Sequence, residues 1–376
     1  MHALTPLNRR TALAVAMLSL TCLAGPSHAA VGSTVPDLLD LPARESVRAQ
    51  HSLQLAVTRA GDRLVAVGER GAVLLSDDAG RSWRQAKSVP VSVALTDVYF
   101  ASATHGWAVG HSGVVLHSAD GGETWQRQLD GGQAAQAILD DAHRRAEAGE
   151  EGAAAAVRSA EYLVNDGPDK PFLGVRFADE LHGYVVGAYG LVLQTSDGGH
   201  SWQSLVGRVP NPRGKHLYQV QLNGSEVLIA GEQGALFRST DGGAHFVEIA
   251  TPYSGTFFGA LGVDGNTLLA FGLRGNAWRS ADGGASWQRI ELGQPVTLSA
   301  GRCLQDGSVL LADESGRLLR STDGARSFAA LAVQPGTGLT GIAQAADGAL
   351  ILSGARGLSR VEPDALASRV QVSGVK

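Results

Sequence analysis

Three arginines in matching places raise the first chemical question. Arg70, Arg274 and Arg356 each precede the closing glycine of a short turn, in "GERG", "GLRG" and "GARG". A guanidinium is a planar fork that holds a carboxylate through two parallel hydrogen bonds, so three in register could grip an acidic ligand. Tyr189 of "GAYG" and Glu232 of "GEQG" come from the same set of turns. Together these residues could bring cations, a phenol and a carboxylate around one acidic ligand. By themselves, the same arginines would make a cationic recognition surface that steers acidic partners.

A second recurrent stretch is "SADGGETW", Ser118 to Trp125. Its aspartate recurs as Asp78, Asp120, Asp197, Asp241, Asp282 and Asp323, with a worn copy at Asp364. Such an aspartate accepts backbone N–H bonds two residues on, and Gly-Gly supplies the positive φ of a tight turn. The closing Trp packs between sheets. The alternating acids of a calcium loop are absent, so the octapeptide reads as structural. Histidine offers no HExxH and no close pair, and His105 and His182 are simply equivalent repeat positions. Neither a metal nor another cofactor is expected. Cys303, in "SAGRCLQDGSVLLA", reads as a buried and inert thiol.

The elements that position these residues come from repetition. Gly71, Gly113, Gly190, Gly234, Gly275, Gly316 and Gly357 are spaced by 42, 77, 44, 41, 41 and 41 residues. Each unit contains four short β-rich runs, here lettered A to D, separated by Gly, Asp and Ser turns. One such sheet leaves both faces apolar; seven packed radially bury them against one another. The fold expected is all-β, a seven-bladed β-propeller. Its outermost seventh strand falls to Ser368–Val372, the alternative being residues between Arg44 and Gln54. The long step carries an insertion, 131–170, rich in Ala, Glu and Arg, which predicts a helical hairpin hinged near Gly149–Gly152.

Up-and-down strands put the A–B and C–D turns, with the octapeptides, on one side of the disc. The B–C turns and D-to-A crossovers share the other side. There the expected partner-binding surface gathers Arg70, Lys87, Tyr189, Arg213, Lys215, His216, Arg274 and Arg356, with Lys170 and Arg208 in the crossovers. Tyr253, Phe257 and Phe258 could line it, although strand alternation assigns Phe257 or Phe258 to the core.

Residues 1–29 read as a signal peptide, with Arg9-Arg10, an apolar run Thr11–Gly25 and a small-residue site at Ser27-His28-Ala29. The run is too short for a permanent span, and the residues before Cys22 fit a lipid-attachment pattern poorly. The expectation is an exported, periplasmic chain whose propeller occupies 30–376. Its formal charge moves from -5 to -7 on processing, which argues against nucleic-acid binding.

The paired "GxxG…SxDGGxTW" signature, the blade count and the stretch "VNDGPDKPF…GAYG…NPRGKHLY…AGEQG" together resemble the photosystem II assembly and stability factor family of BNR/Asp-box propellers. That resemblance implies an exported, non-enzymatic, monomeric scaffold. It would hold a membrane-protein complex or an assembling subunit through a basic patch, peripheral to the membrane at most. The alternative is a sialidase-like glycoside hydrolase, which would need arginines on a carboxylate, a tyrosine–glutamate nucleophile pair and an acid for protons. However, the Phe-Arg-Ile-Pro segment of sialidases is missing and those enzymes have six blades.

Overall fold

In the computed structural model the chain divides into a segment Met1–Pro36 and a compact unit Asp37–Lys376. The structure describes residues 36–333, 336 and 338–367; the signal peptide of the sequence reading lies outside them. The compact unit is a seven-bladed propeller of antiparallel sheets, among the described residues six of four strands and one of three. Blade 1 runs through Gln54–Ala60, Arg63–Gly68, Val73–Ser76 and Arg84–Gln85. Blade 2 begins at Leu95–Phe100, blade 3 at Phe172–Phe177, blade 4 at Leu217–Asn223, blade 5 at Phe257–Asp264 and blade 6 at Leu298–Cys303. Blade 7 comprises Leu339–Gln344, Leu350–Gly354 and Gly357–Val361.

Burial explains why these runs are strands. Every residue of Gly106–Gly110, Gly183–Gly187 and Leu350–Gly354 is buried, because a B strand is covered on both faces by neighbouring blades. The A strands alternate instead, since one side faces a central channel. Outer strands such as Arg84–Gln85 are only two residues long and largely exposed, which limits the edge they offer to other chains.

The octapeptide does more than turn the chain. Ser118 Oγ, buried, donates to Asp120 at 2.8 Å and accepts the Gly122 N–H at 2.9 Å. Asp120 in turn accepts from the N–H and hydroxyl of Thr124, at 2.9 and 2.6 Å. The bond therefore reaches four residues on rather than two, and the serine is the hub. The carbonyl after each motif aspartate then takes a donor from the preceding blade. Arg63 reaches Gly121 O at 3.1 Å, Trp107 Nε1 Gly198 O at 3.3 Å and Tyr184 Oη Gly242 O at 2.6 Å. Arg238 reaches Gly283 O at 2.9 Å, Arg279 reaches Gly324 O at 2.7 Å, and Arg360 donates to Ala79 O. Asp364 departs from the pattern: it sits in the short helical turn Pro363–Ala367, and Arg320 donates to Leu366 O at 2.8 Å instead.

Closure between blades 7 and 1 uses the same devices. Thr340 Oγ1 donates to Gln54 O at 2.7 Å, as its repeat equivalent Thr96 does to Phe172 O at 2.7 Å. Arg81 pairs with Asp347 at 3.1 Å. Ser368–Val372 lies outside the described residues. Residues between Arg44 and Gln54 add no strand to blade 7; they form a turn, Ala49–His51, packed beside Gly357–Val361. Gly357 has φ 95°, and a Cβ there would stand 2.0 Å from the Gln50 carbonyl, so only glycine permits that approach.

The insertion is the expected pair of helices, α1 (Gly131–Glu147) and α2 (Ala153–Asp166), joined through Gly149 and Gly152 at positive φ. Asp130 caps α1 by accepting from Gln133 N at 3.0 Å, while Gln133 reaches back to Asp130 N at 3.0 Å. Ala134, Ile138 and Ala142 of α1 are buried in a cluster with Trp107, Phe172 and Trp202 of blades 2 and 3. Helix α2 rests on α1 through Ala153 and Ala160 and leaves Tyr162 largely exposed. Among the described residues no helix is long and apolar enough to cross a membrane.

Candidate functional site

The B–C turns hold their arginines in a fixed, unusual geometry. Arg70 and Arg274 both have φ 57°, and Tyr189 has φ 56°. A left-handed residue before glycine at the tip of a tight turn points its side chain away from the sheet. Arg70, Arg274 and Arg356 are exposed and make no hydrogen bond or ion pair among the described residues. Arg213 is likewise exposed and unpaired. These four guanidinium groups are free to engage a ligand.

The other predicted cations are not. Lys215 is buried and pairs with Glu248 at 3.0 Å. Lys170 is buried between Asp166 and Asp169, whose hydrogen bonds, Asp166 first, raise its pKa above the usual lysine range. Lys87 is exposed but lies 3.6 Å from Glu123, in the octapeptide of blade 2. Arg208 turns to Asp141 of α1 at 3.4 Å. The basic surface is therefore narrower than the sequence suggested, because a carboxylate within reach neutralises each of these four side chains. Two cations that sequence reasoning missed, Arg44 and Arg48, are exposed in the segment before blade 1, beside the almost fully exposed Val47. That segment crosses the B–C turns of blades 1 and 7: the Ala43 N–H donates to Val89 O at 3.0 Å, and Gln50 abuts Gly357.

Tyr189 is 60% exposed, an aromatic surface held rather than loose. Its ring lies 5.0 Å from that of His216 and 5.7 Å from Lys170 Nζ. The His216 N–H donates to Glu232 at 2.9 Å, and no bond joins Glu232 to Tyr189. A tyrosine–glutamate nucleophile pair is thus not assembled. Phe257 is wholly buried, Tyr253 donates to Leu273 O at 3.1 Å, and Phe258 faces the channel against Tyr218, with ring centroids 5.1 Å apart.

The channel itself is a cavity of about 790 Å³ walled by all seven A strands. Its chemistry escaped the sequence reading. Asp97 accepts from Val175 N at 3.0 Å and Arg176 at 3.1 Å, and the Arg176 guanidinium stacks 5.2 Å over Tyr99. Arg302 projects among these residues, with one hydrogen bond of its own, to Ile342 O at 3.3 Å. Aligning the A strands by repeat position would have found this layer, since Thr58, Tyr99, Arg176, Gln221, Leu261 and Arg302 pair with equivalent B-strand residues. Cys303, read as buried, is exposed toward the channel; its thiol pKa is nevertheless raised by surrounding protein. His105 and His117 do meet, at 3.3 Å, but no cluster of three metal-capable side chains occurs among the described residues.

Radial blades and Asp-box clasps define a BNR/Asp-box β-propeller whose turn face bears unpaired arginines. The model of the family "Photosynthesis system II assembly factor YCF48" matches residues 84–147 and 157–255, breaking at the helical hairpin. The "Photosystem II assembly lipoprotein Ycf48" of Synechococcus sp. (strain CC9902) is 35% identical over 77 residues, 20% of this chain and 23% of that protein. The matched stretch thus spans about a quarter of that relative's length. Among solved structures, "YCF48 bound to D1 peptide" has a TM-score of 0.61 at 16% identity, covering 85% of this chain and 98% of that one. A streptogramin B lyase superposes equally well, with a TM-score of 0.62 at 12% identity, covering 85% and 96%. At such identities the superpositions show the fold alone. Over these stretches the chain is similar in sequence to photosystem II assembly factors, and it shares their β-propeller fold.

Proposed function

We propose that this chain is an exported, non-enzymatic scaffold that holds a segment of a membrane-protein subunit on its B–C turn face. The observation that carries the reading is the set of exposed, unpaired guanidinium groups of Arg70, Arg213, Arg274 and Arg356, two of them, Arg70 and Arg274, on turns of identical left-handed geometry. Fixed turns lose little entropy on binding, and unpaired arginines need shed no internal partner before meeting a carboxylate. A solved relative of the same fold is bound to a D1 peptide, and the curated relatives are named lipoproteins, which favours an extracytoplasmic place at a membrane. Residues 1–29 would direct that export, and the acidic remainder of the chain disfavours nucleic acid as the partner. Tyr189 supplies an aromatic anchor beside the charges, and the exposed α2 face a second contact. The shared fold of a lyase does not favour catalysis, because activity resides in sites and not in folds.

The test is affinity capture from detergent-solubilised membranes with the full chain and a variant carrying Arg70→Ala, Arg274→Ala and Arg356→Ala together. The expected result is one membrane complex enriched by the parent and lost by the variant, at an unchanged melting temperature. Equal capture by both proteins refutes the role of this face. Release of a fluorophore from sialosides or other glycosides by the parent would replace the scaffold with an enzyme.

A further inference from the structure

The central channel holds a charge that the protein does not balance. Arg302 points inward from blade 6, and the groups whose charge it feels are Arg176, Tyr99 and Arg59, in blades 3, 2 and 1 across the lumen. Every other charged group of the lining is accounted for. Arg176 is satisfied by Asp97 at 3.1 Å, and Glu226 by Arg238 at 2.5 Å. Arg59, close by, donates to Gly61 O at 3.0 Å and pairs with the solvent-exposed Asp62 at 3.5 Å. Glu314 lines the opposite mouth: its N–H binds Thr297 O, five residues before Arg302 on one strand, or about 15 Å away. Arg302 has no carboxylate partner and a single hydrogen bond, so its remaining N–H donors face the lumen. Burial first, then the Arg176 charge, pushes its pKa below the usual guanidinium value, yet arginine stays protonated at any physiological pH.

A half-buried cation with no carboxylate partner, held in a channel beside a second guanidinium, carries a desolvation cost that nothing in the fold offsets. Hydrophobic replacement would relieve the cost, and Leu261 at the equivalent position of blade 5 demonstrates that an apolar side chain fits there. We infer that the channel is a ligand site in which Arg302 receives a carboxylate, the remaining volume housing the attached chain. The walls suit that occupant: Tyr99 and Leu261 stand in the Arg302 layer, and Tyr218 and Phe258 form an aromatic collar nearer the B–C turn face. A cavity of about 790 Å³ accommodates a small dicarboxylate or the last few residues of a peptide with a free C-terminus. The site is distinct from the turn arginines, and its existence does not depend on what they bind.

Isothermal titration of the full chain with succinate, and with an alanine-rich hexapeptide as free acid and as C-terminal amide, tests the inference. Succinate binding marks a small-molecule site; binding of the acid but neither the amide nor succinate marks a peptide terminus. In either case Arg302→Met should weaken binding at least tenfold, Arg302→Lys should restore part of it, and Arg289→Ala, on an exposed outer strand, should leave it unchanged. A second reading needs no channel variant. In a Cys22→Ser background, Cys303 beside Arg302 should be alkylated several-fold more slowly when the bound ligand is present. The inference is overturned if no carboxylate binds at millimolar concentration, if Arg302→Met binds as tightly as the parent, or if Cys303 gains no protection.

Discussion

Ser118→Ala tests the assignment of the octapeptide most directly. The hydroxyl is 1% exposed and holds the Gly122 N–H at 2.9 Å inside the turn. Alanine removes that acceptor without admitting water, so the amide is left buried and unsatisfied, a loss of about 1–3 kcal/mol. The hydroxyl's own bond to Asp120 is also lost, but that carboxylate is solvated, and its share is small. We expect about 2 kcal/mol of destabilisation in urea unfolding, and a melting temperature lower by about 4 °C for a domain of this size. The repeats provide the control. Thr195 occupies the same place in blade 3, accepting from Gly199 N at 2.9 Å and donating to Asp197 at 2.8 Å, so Ser118→Thr should stay within about 0.5 kcal/mol of the parent. A cost for Ser118→Ala below about 0.5 kcal/mol, or equal costs for Ala and Thr, would refute the hub role.

Two further perturbations follow from the same structure. Hydrogen bonds from Ser82 and Ser286 lower the carboxyl pKa of Asp78 and Asp282 from 3.8 to about 2. A depressed folded pKa contributes stability above the unfolded value that is lost as pH falls through the folded one. These two carboxylates should therefore contribute undiminished stability down to about pH 4 and lose that contribution between about pH 4 and 2, as followed by near-ultraviolet dichroism, with Asp282→Asn flattening part of that loss. Ile138 of α1 is 5% exposed among the side chains of blade 3, so Ile138→Ala should cost about 2–4 kcal/mol and speed proteolysis at Gly149–Gly152, whereas an unchanged cleavage rate would mean the hairpin docks elsewhere.

Much of the fold was legible because the repeats are copies. A glycine and an aspartate seven residues apart recur where each blade must turn, and the local chemistry of that turn is the same in the first six copies. The helical hairpin was equally plain, since its Ala-rich composition and the i, i+3, i+4 spacing of Ala135, Ile138, Leu139 and Ala142 are local signals. The turn arginines were found in the same way, from their shared register.

Tertiary structure decided what those residues touch. Lys215 and Glu248 are 33 residues apart and meet only because the crossover into blade 4 passes its outermost strand, so no local pattern could show that this lysine is spent. The octapeptide carbonyls bind Arg63, Trp107, Tyr184 or Arg238 according to which blade precedes them, a partnership between repeats and not within one. Arg302 lies in an ordinary strand sequence and acquires meaning only when seven inner strands close a ring around it. Sequence by itself determined the blade, because backbone turns and strand patterns are short-range. The balance of charge in the channel and on the turn face was set by the closed ring, because Coulomb pairing depends on distance in space and not on separation along the chain.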